Sequence, residues 1–88
     1  MQTVIARHKV GDINTWLKGH DERVALFNQA SARFRTFQDG DDPNSVLLLI
    51  ETDDLDTLIA MIDDPASADT KKRHTVIEPI TVSAEVSM

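Results

Sequence analysis

A short, unbroken apolar run near the middle of the chain constrains the fold more than any other stretch. Val46–Ile50 reads Val-Leu-Leu-Leu-Ile, and aspartate-rich, turn-forming segments stand on both sides of it. A strand with one exposed face alternates apolar and polar residues, so a run without alternation predicts a strand covered on both faces. A chain of 88 residues has little material with which to cover a sheet twice. Association with another molecule is the economical way to cover it.

The first half of the chain predicts two strands with a helix between them. Thr3–Val10 and Ala32–Asp39 alternate with a period of two, which is typical of strands. Between them, apolar residues recur at helical spacing and predict one helix over Ile13–Gln29, capped by Asp12. Because Gly19 inside this helix costs up to ~1 kcal/mol relative to alanine, we expect a packing reason for it. The predicted apolar stripe consists of Ile13, Trp16, Leu17, His20, Val24 and Phe27, with Ala30 at its end.

The second half predicts a further helix, a short helical turn and a last strand. The helix begins near Asp53 or Asp54, where acidic residues suit its dipole, and ends before Pro65. Ser67–His74 adds a short helical turn with basic residues at its end. Pro79 is expected to open the last strand, which runs over residues 80–86.

The order of these elements predicts the fold class α+β, a ferredoxin-like βαββαβ arrangement in a single domain over residues 1–88. Right-handed crossovers place the first and third strands in the centre of a four-stranded antiparallel sheet, with both helices on one face. The hairpin register is expected to pair Arg33 with Glu51, Arg35 with Leu49 and Phe37 with Leu47. The other face is left bare and predicts a homodimer whose two sheets close one barrel; it is formed by residues such as Leu47, Leu49, Arg35, Phe37 and Ile5.

Charge and composition exclude several partners. The formal net charge is −6, which disfavours binding to nucleic acid or to an anionic membrane surface. The chain has no cysteine, so disulfide and thiolate chemistry are excluded. No segment approaches the ~20 apolar residues of a membrane span, and the start lacks the pattern of a secretory signal. A cytoplasmic location is therefore expected.

Several stretches together resemble a known family. They are Arg7–Val10, Asp12, Trp16, Asp41–Val46 and Glu51 with the acidic helix start after it. This pattern resembles small proteins of the dimeric α+β barrel superfamily, in particular the antibiotic-biosynthesis-monooxygenase-like group. The resemblance implies the fold and the homodimer. The superfamily hosts cofactor-free monooxygenases, haem-degrading enzymes, cyclases and isomerases; haem degradation is disfavoured, because the third strand ends without a tryptophan.

Five residues are candidates for a site, and each also has a purely structural interpretation. His8 lies among apolar residues of the first strand and is the candidate for proton transfer, although an enclosed histidine can simply pack there. The candidates for a ligand pocket are Trp16, His20, Arg35 and His74. Each has a structural alternative: Trp16 and His20 can pack in the core, and Arg35 can form an ion pair. His74 can simply lie at a helix end, where the dipole favours it. The histidines show no metal-ligand spacing, so no metal is expected. No other cofactor is expected either.

Two classes of function follow from these residues. The first is a homodimer that binds a small apolar or aromatic molecule, or that serves as a structural or regulatory unit. The second is a cofactor-free monooxygenase or cyclase-type enzyme for an aromatic polyketide or quinol-like substrate. In the enzyme, His8 would transfer the proton and Arg35 would orient an oxyanion. A cavity beside His8, Trp16 and His20 would favour a ligand or substrate, whereas a filled core would favour the structural role.

Overall fold

Four strands form one antiparallel sheet in the computed structural model, which describes residues 1–88. They are β1 (Gln2–Val10), β2 (Ala32–Gln38), β3 (Ser45–Thr52) and β4 (Val76–Ala84). The strands lie in the order β2-β3-β1-β4, so the first and third strands are central. The predicted ferredoxin-like βαββαβ order is therefore confirmed.

The apolar run lies in β3 and divides its side chains between the two faces of the sheet. Val46, Leu48 and Ile50 are buried, whereas Leu47 and Leu49 are only half-buried. The register between β2 and β3 pairs Arg33 with Glu51, Arg35 with Leu49 and Phe37 with Leu47, as predicted. Within one chain, the run is thus covered on one face only.

Helices cover that one face. They are α1 (Ile13–Lys18), α2 (His20–Asn28), α3 (Leu55–Asp63) and α4 (Ala68–Arg73), with a 3₁₀ turn at Pro65–Ser67 before the last of them. The caps follow from the sequence, since Asp12 accepts a hydrogen bond from the amide of Thr15 and Asp54 accepts one from Thr57. None of these helices has the length and apolar character that would let it cross a membrane.

The prediction of one continuous helix over Ile13–Gln29 is wrong. The helix is interrupted at Gly19, whose ψ of 6° departs from helical geometry, and α2 starts at the next residue. The predicted stripe is also wrong in part, because Leu17 is 47% exposed and Val24 is 38% exposed. Arg23 takes the inward position in place of Val24 and is buried.

The last strand begins earlier than predicted, at Val76 rather than after Pro79. Val76 pairs with Val10 and Ile77 pairs with Lys9, and the register then shifts before Thr81 pairs with Arg7. Proline is accepted within this strand because β4 lies at the edge of the sheet, where a backbone donor is not needed on the open side.

The core lies between the sheet and the helices. It is a cluster of 11 buried apolar residues drawn from β1, β2, β3, the helices and the turn after α2. Trp16, Ile50 and Leu58 are its fully buried large side chains. By contrast, Phe37 on the bare face of the sheet is 44% exposed.

Candidate functional site

A cavity of about 280 Å³ lies between the helix-covered face of the sheet and the helices α2, α3 and α4, and it is partly open to solvent. Ten of its 18 lining residues are hydrophobic. Pockets that hold small molecules are mostly apolar with a few polar groups, and this volume lies just below their ~300–1,000 Å³ range. The polar groups therefore decide what the cavity can do.

Three of the five candidate residues line this cavity: His8, Trp16 and His74. His20 does not line it, which corrects the prediction. Its side chain is exposed at the start of α2, and its ring packs edge-on against Phe34 of β2, with 5.4 Å between the ring centres. The interruption of the helix just before His20 turns this residue towards the edge of the sheet.

Arg35 also lies outside the cavity, and its predicted place in the pocket is wrong. The alternation of β2 places Arg35 with Phe37 on the face that carries no helix, and its side chain is exposed. Its guanidinium lies 5.7 Å from the centre of the Phe37 ring. The two faces of a sheet are separated by its backbone, so Arg35 cannot reach a ligand in the cavity of its own chain.

His8 is positioned as a neutral base. Its side chain is 8% exposed, and Nδ1 lies 2.9 Å from the carbonyl oxygen of Lys9. A carbonyl only accepts, so Nδ1 carries the hydrogen and donates it, which leaves a lone pair on Nε2. Burial lowers the pKa of His8, with a smaller effect from the charge of Arg23, while the bond to Lys9 acts in the opposite direction. The ring is therefore neutral at pH 7.

Arg23 is the residue of the site that the sequence interpretation missed. Its guanidinium carbon lies 4.0 Å from the centre of the Trp16 ring, and Nη2 donates to the Trp16 carbonyl oxygen at 2.6 Å. Its Nη1 donates to Nδ1 of His74 at 3.3 Å. Burial lowers the pKa of Arg23 to about 10, so the guanidinium keeps its charge at pH 7. Its helical spacing from Trp16 and Phe27 was the available signal.

His74 connects Arg23 to an acidic residue. Because arginine only donates, Nδ1 of His74 accepts, and the hydrogen on Nε2 is donated to Glu22 at 3.2 Å. Glu22 is held in turn by two hydrogen bonds from Arg73, which are the main reason that its pKa is lowered. Burial and then the charge of Arg23 lower the pKa of His74, against the attraction of Glu22. His74 is thus a neutral link between α2 and α4.

Trp16 completes the polar side of the cavity. Trp16 is fully buried. Its ring makes an edge-to-face contact with the imidazole ring of His8, with 5.7 Å between the ring centres. Its indole Nε1 has no hydrogen-bond acceptor. No three of the histidine and acidic side chains are grouped as metal ligands. The site therefore combines a neutral base, a buried cation and an apolar floor.

Comparison with known proteins identifies solved structures that share this fold. No family model matches the chain, and no curated protein matches it. Solved structures do match. One is a crystal structure of an antibiotic biosynthesis monooxygenase, with a TM-score of 0.68 and 19% identity over 100% of this chain and 99% of the other. Another is an uncharacterised NIPSNAP domain protein from Burkholderia xenovorans, with a TM-score of 0.68 and 21% identity over 100% and 95% of the two chains.

A third structure is a variant of SnoaB, a cofactor-independent oxygenase from Streptomyces nogalater. It gives a TM-score of 0.65 and 17% identity over 99% of this chain and 94% of the other. The chain is thus an α+β protein with a ferredoxin-like sheet and a cavity under its helices. More particularly, it has the fold of antibiotic-biosynthesis-monooxygenase-like proteins, and the predicted resemblance is confirmed at the level of the fold.

Proposed function

We propose that the protein is a homodimer that binds a small apolar or aromatic molecule in the cavity beside His8 and Trp16. The observation that carries the proposal is the cavity itself, because a chain of this size that served only as a structural unit would gain stability by filling it. The apolar majority of its lining suits a ligand with a hydrophobic body.

The bare face of the sheet supports the homodimer. Ile5, Leu47 and Leu49 are half-buried there, Phe37 is 44% exposed, and no helix covers them. Arg7, Phe37, Leu47 and Leu49 surround a shallow depression on this face. An apolar face of this kind is typical of an association surface, and a second copy related by two-fold symmetry would cover it with an identical face.

A second candidate function is that of a cofactor-free monooxygenase or cyclase-type enzyme. The specific observation in its favour is the neutral His8, whose Nε2 is free to accept a proton from a substrate hydroxyl or an acidic C–H group. The likeness to a cofactor-independent oxygenase supports an enzymatic function by analogy of fold. Trp16 would then form part of the substrate pocket. Arg35 has no part in this site, because it lies on the opposite face of the sheet.

Native mass spectrometry of the freshly purified protein tests the proposal. We expect the mass of two chains plus a retained small molecule, which acid denaturation would release for identification. Protein stripped by unfolding and refolding is the control, and it should rebind the released compound. A dimer that retains nothing, and that no member of a panel of aromatic compounds stabilises against heat, would contradict ligand binding.

A further inference from the structure

One wall of the cavity is held in place by a single buried side chain. Residues 64–74 supply six of the 18 residues that line the cavity: Asp64, Ala66, Ser67, Thr70, Lys71 and His74. After Leu58, every residue of the chain is half-buried or exposed except His74, which is 7% exposed. Neither the 3₁₀ turn nor α4 buries a residue of its own. Because burial of an apolar face is what mainly fixes a helix to its neighbours, this wall is attached weakly.

Polar contacts with α2 provide most of the attachment. The ring of His74 accepts a hydrogen bond from Arg23 and donates one to Glu22. Arg73 donates two hydrogen bonds to the same carboxylate, at 3.1 and 3.2 Å. Side chains that are partly exposed, as Glu22 and Arg73 are, form ion pairs that contribute little free energy and break readily. Glu22 is therefore the residue on which a weak attachment converges.

The segment has a joint at each end. Asp64 has an extended backbone, with ψ of 126°, and separates α3 from the 3₁₀ turn. Thr75 has a φ of 60°, a left-handed conformation that is unfavourable for a β-branched residue and that is found at ligand clamps and switch regions. Its carbonyl oxygen accepts from the amide of Gly11 at 2.8 Å, and its hydroxyl donates to the carbonyl oxygen of Asp12. Thr75 is thus fixed to the turn before α1, whereas the residues that precede it are held only weakly.

We infer that residues 65–74 form a lid, which swings outward between the joints at Asp64 and Thr75 to admit the ligand and then closes against it. The contacts of Glu22 with His74 and Arg73 are the latch of this lid. The inference rests on the proposed function and adds to it the route by which the ligand enters. The cavity of about 280 Å³ lies just below the ~300–1,000 Å³ of small-molecule pockets, and a wall that moves outward enlarges it.

Two measurements on the ligand-free protein test the lid. Hydrogen exchange followed by mass spectrometry reports how often the amides of α4 open, and the central strands β1 and β3 serve as the reference for global unfolding. We expect α4 to open about a hundredfold more often than these strands, or more. Quenching of fluorescence by acrylamide reports access to the cavity, because Trp16 is the only tryptophan of the chain and lines the cavity.

A substitution on α2 releases the latch without altering the lid. Glu22→Ala removes the acceptor of both Arg73 and His74, and Glu22 is not part of the cavity lining. We expect the opening of α4 and the rate of Trp16 quenching to rise together, by about fivefold. Asp21→Ala is the matched control, because it removes the same charge from the same first turn of α2, but from an exposed residue. It should leave both measurements at their wild-type values.

Three outcomes would overturn the inference. Amides of α4 that open no more often than those of the central strands would exclude a lid. Faster opening of α4 in Glu22→Ala with unchanged quenching of Trp16 would show that the helix does not control access to the cavity. Equal effects of Glu22→Ala and Asp21→Ala would exclude the latch. None of these measurements needs a ligand, so the test of the lid does not depend on whether mass spectrometry finds a bound molecule.

Discussion

The imidazole ring of His74 packs directly against the backbone of Gly19. A methyl group added to Gly19 would lie 2.7 Å from Cε1 and Nε2 of this ring and 2.9 Å from Nδ1. The same ring is held from two sides, since it accepts from Arg23 and donates to Glu22. This contact is the packing reason that we expected for a glycine at position 19.

Gly19→Ala should therefore destabilise the protein. Overpacking costs about 1–3 kcal/mol, and the ring cannot move without losing its two hydrogen bonds. Replacing glycine also restricts the unfolded chain, which stabilises the folded state by up to about 1 kcal/mol. We expect a net loss of about 1–2 kcal/mol in the free energy of unfolding, measured by urea denaturation. Gly40→Ala is the control, because nothing lies within 4 Å of the added methyl group.

A double variant shows whether the contact is the cause. In the background of His74→Ala, the space of the ring is free, so Gly19→Ala should cost little or nothing further. If the two losses simply add, the clash between Gly19 and His74 is not the source of the effect.

Acidification should weaken the fold through His8 and His74. Both have a folded-state pKa below the ordinary value of 6.5, chiefly because burial disfavours the imidazolium. The unfolded state then binds protons that the folded state does not. The contribution to stability is complete above 6.5 and is lost as the pH falls through the two lowered folded-state pKa values. The lowered carboxyl pKa values of Glu22 and Asp54 act at more acidic pH.

Urea unfolding at about pH 7.5 and about pH 5.5 measures this effect, and the free energy of unfolding should be smaller at the lower pH. His74→Gln keeps one acceptor and one donor in place of the ring nitrogens, so it should reduce the difference between the two conditions. The same substitution at the exposed His20 is the control and should leave the difference in place. An unchanged difference in His74→Gln would exclude His74 as a contributor.

Leu49→Asp should break the proposed homodimer without unfolding the chain. Leu49 lies half-buried on the bare face of the sheet, where the substitution removes the apolar contact of the leucine and a partner would desolvate the new carboxylate. We expect dissociation that is about a hundredfold easier, measured by light scattering across micromolar concentrations. Leu17→Asp, on the exposed side of α1, should leave the dimer intact. Wild-type protein that is monomeric at micromolar concentration would disprove the dimer itself.

His8→Ala distinguishes binding from turnover. If the cavity only binds, the substitution should change ligand affinity by less than about tenfold, since the apolar lining remains. If the protein is an enzyme, loss of the base should lower kcat by about 10²–10⁴-fold. His20→Ala, outside the cavity, is the control for both measurements. Binding and turnover that are both unaffected by His8→Ala would remove His8 from the site.

Much of the site could be predicted from local pattern. Alternation along β1 correctly placed His8 on the helix-covered face, and helical spacing placed Trp16 inward. The same reasoning failed for His20, because the interruption at Gly19 changes which side of α2 faces the sheet, and it missed Arg23 although the helical spacing from Trp16 and Phe27 was available. The ring that packs against Gly19 belongs to a residue 55 positions away along the chain, and no local pattern contains it. The distance is the difference between positions 74 and 19.

The sequence by itself determined the order of the strands, the pairing of β2 with β3 and the two faces of the central run at Val46–Ile50. These features follow from side-chain periodicity and turn residues, which act between near neighbours in the chain. The tertiary structure alone decided that Glu22, His74, Arg23 and Trp16 form one connected group beside a cavity. Their contacts join α1, α2 and the end of α4, and only the packing of these helices onto the sheet brings them together.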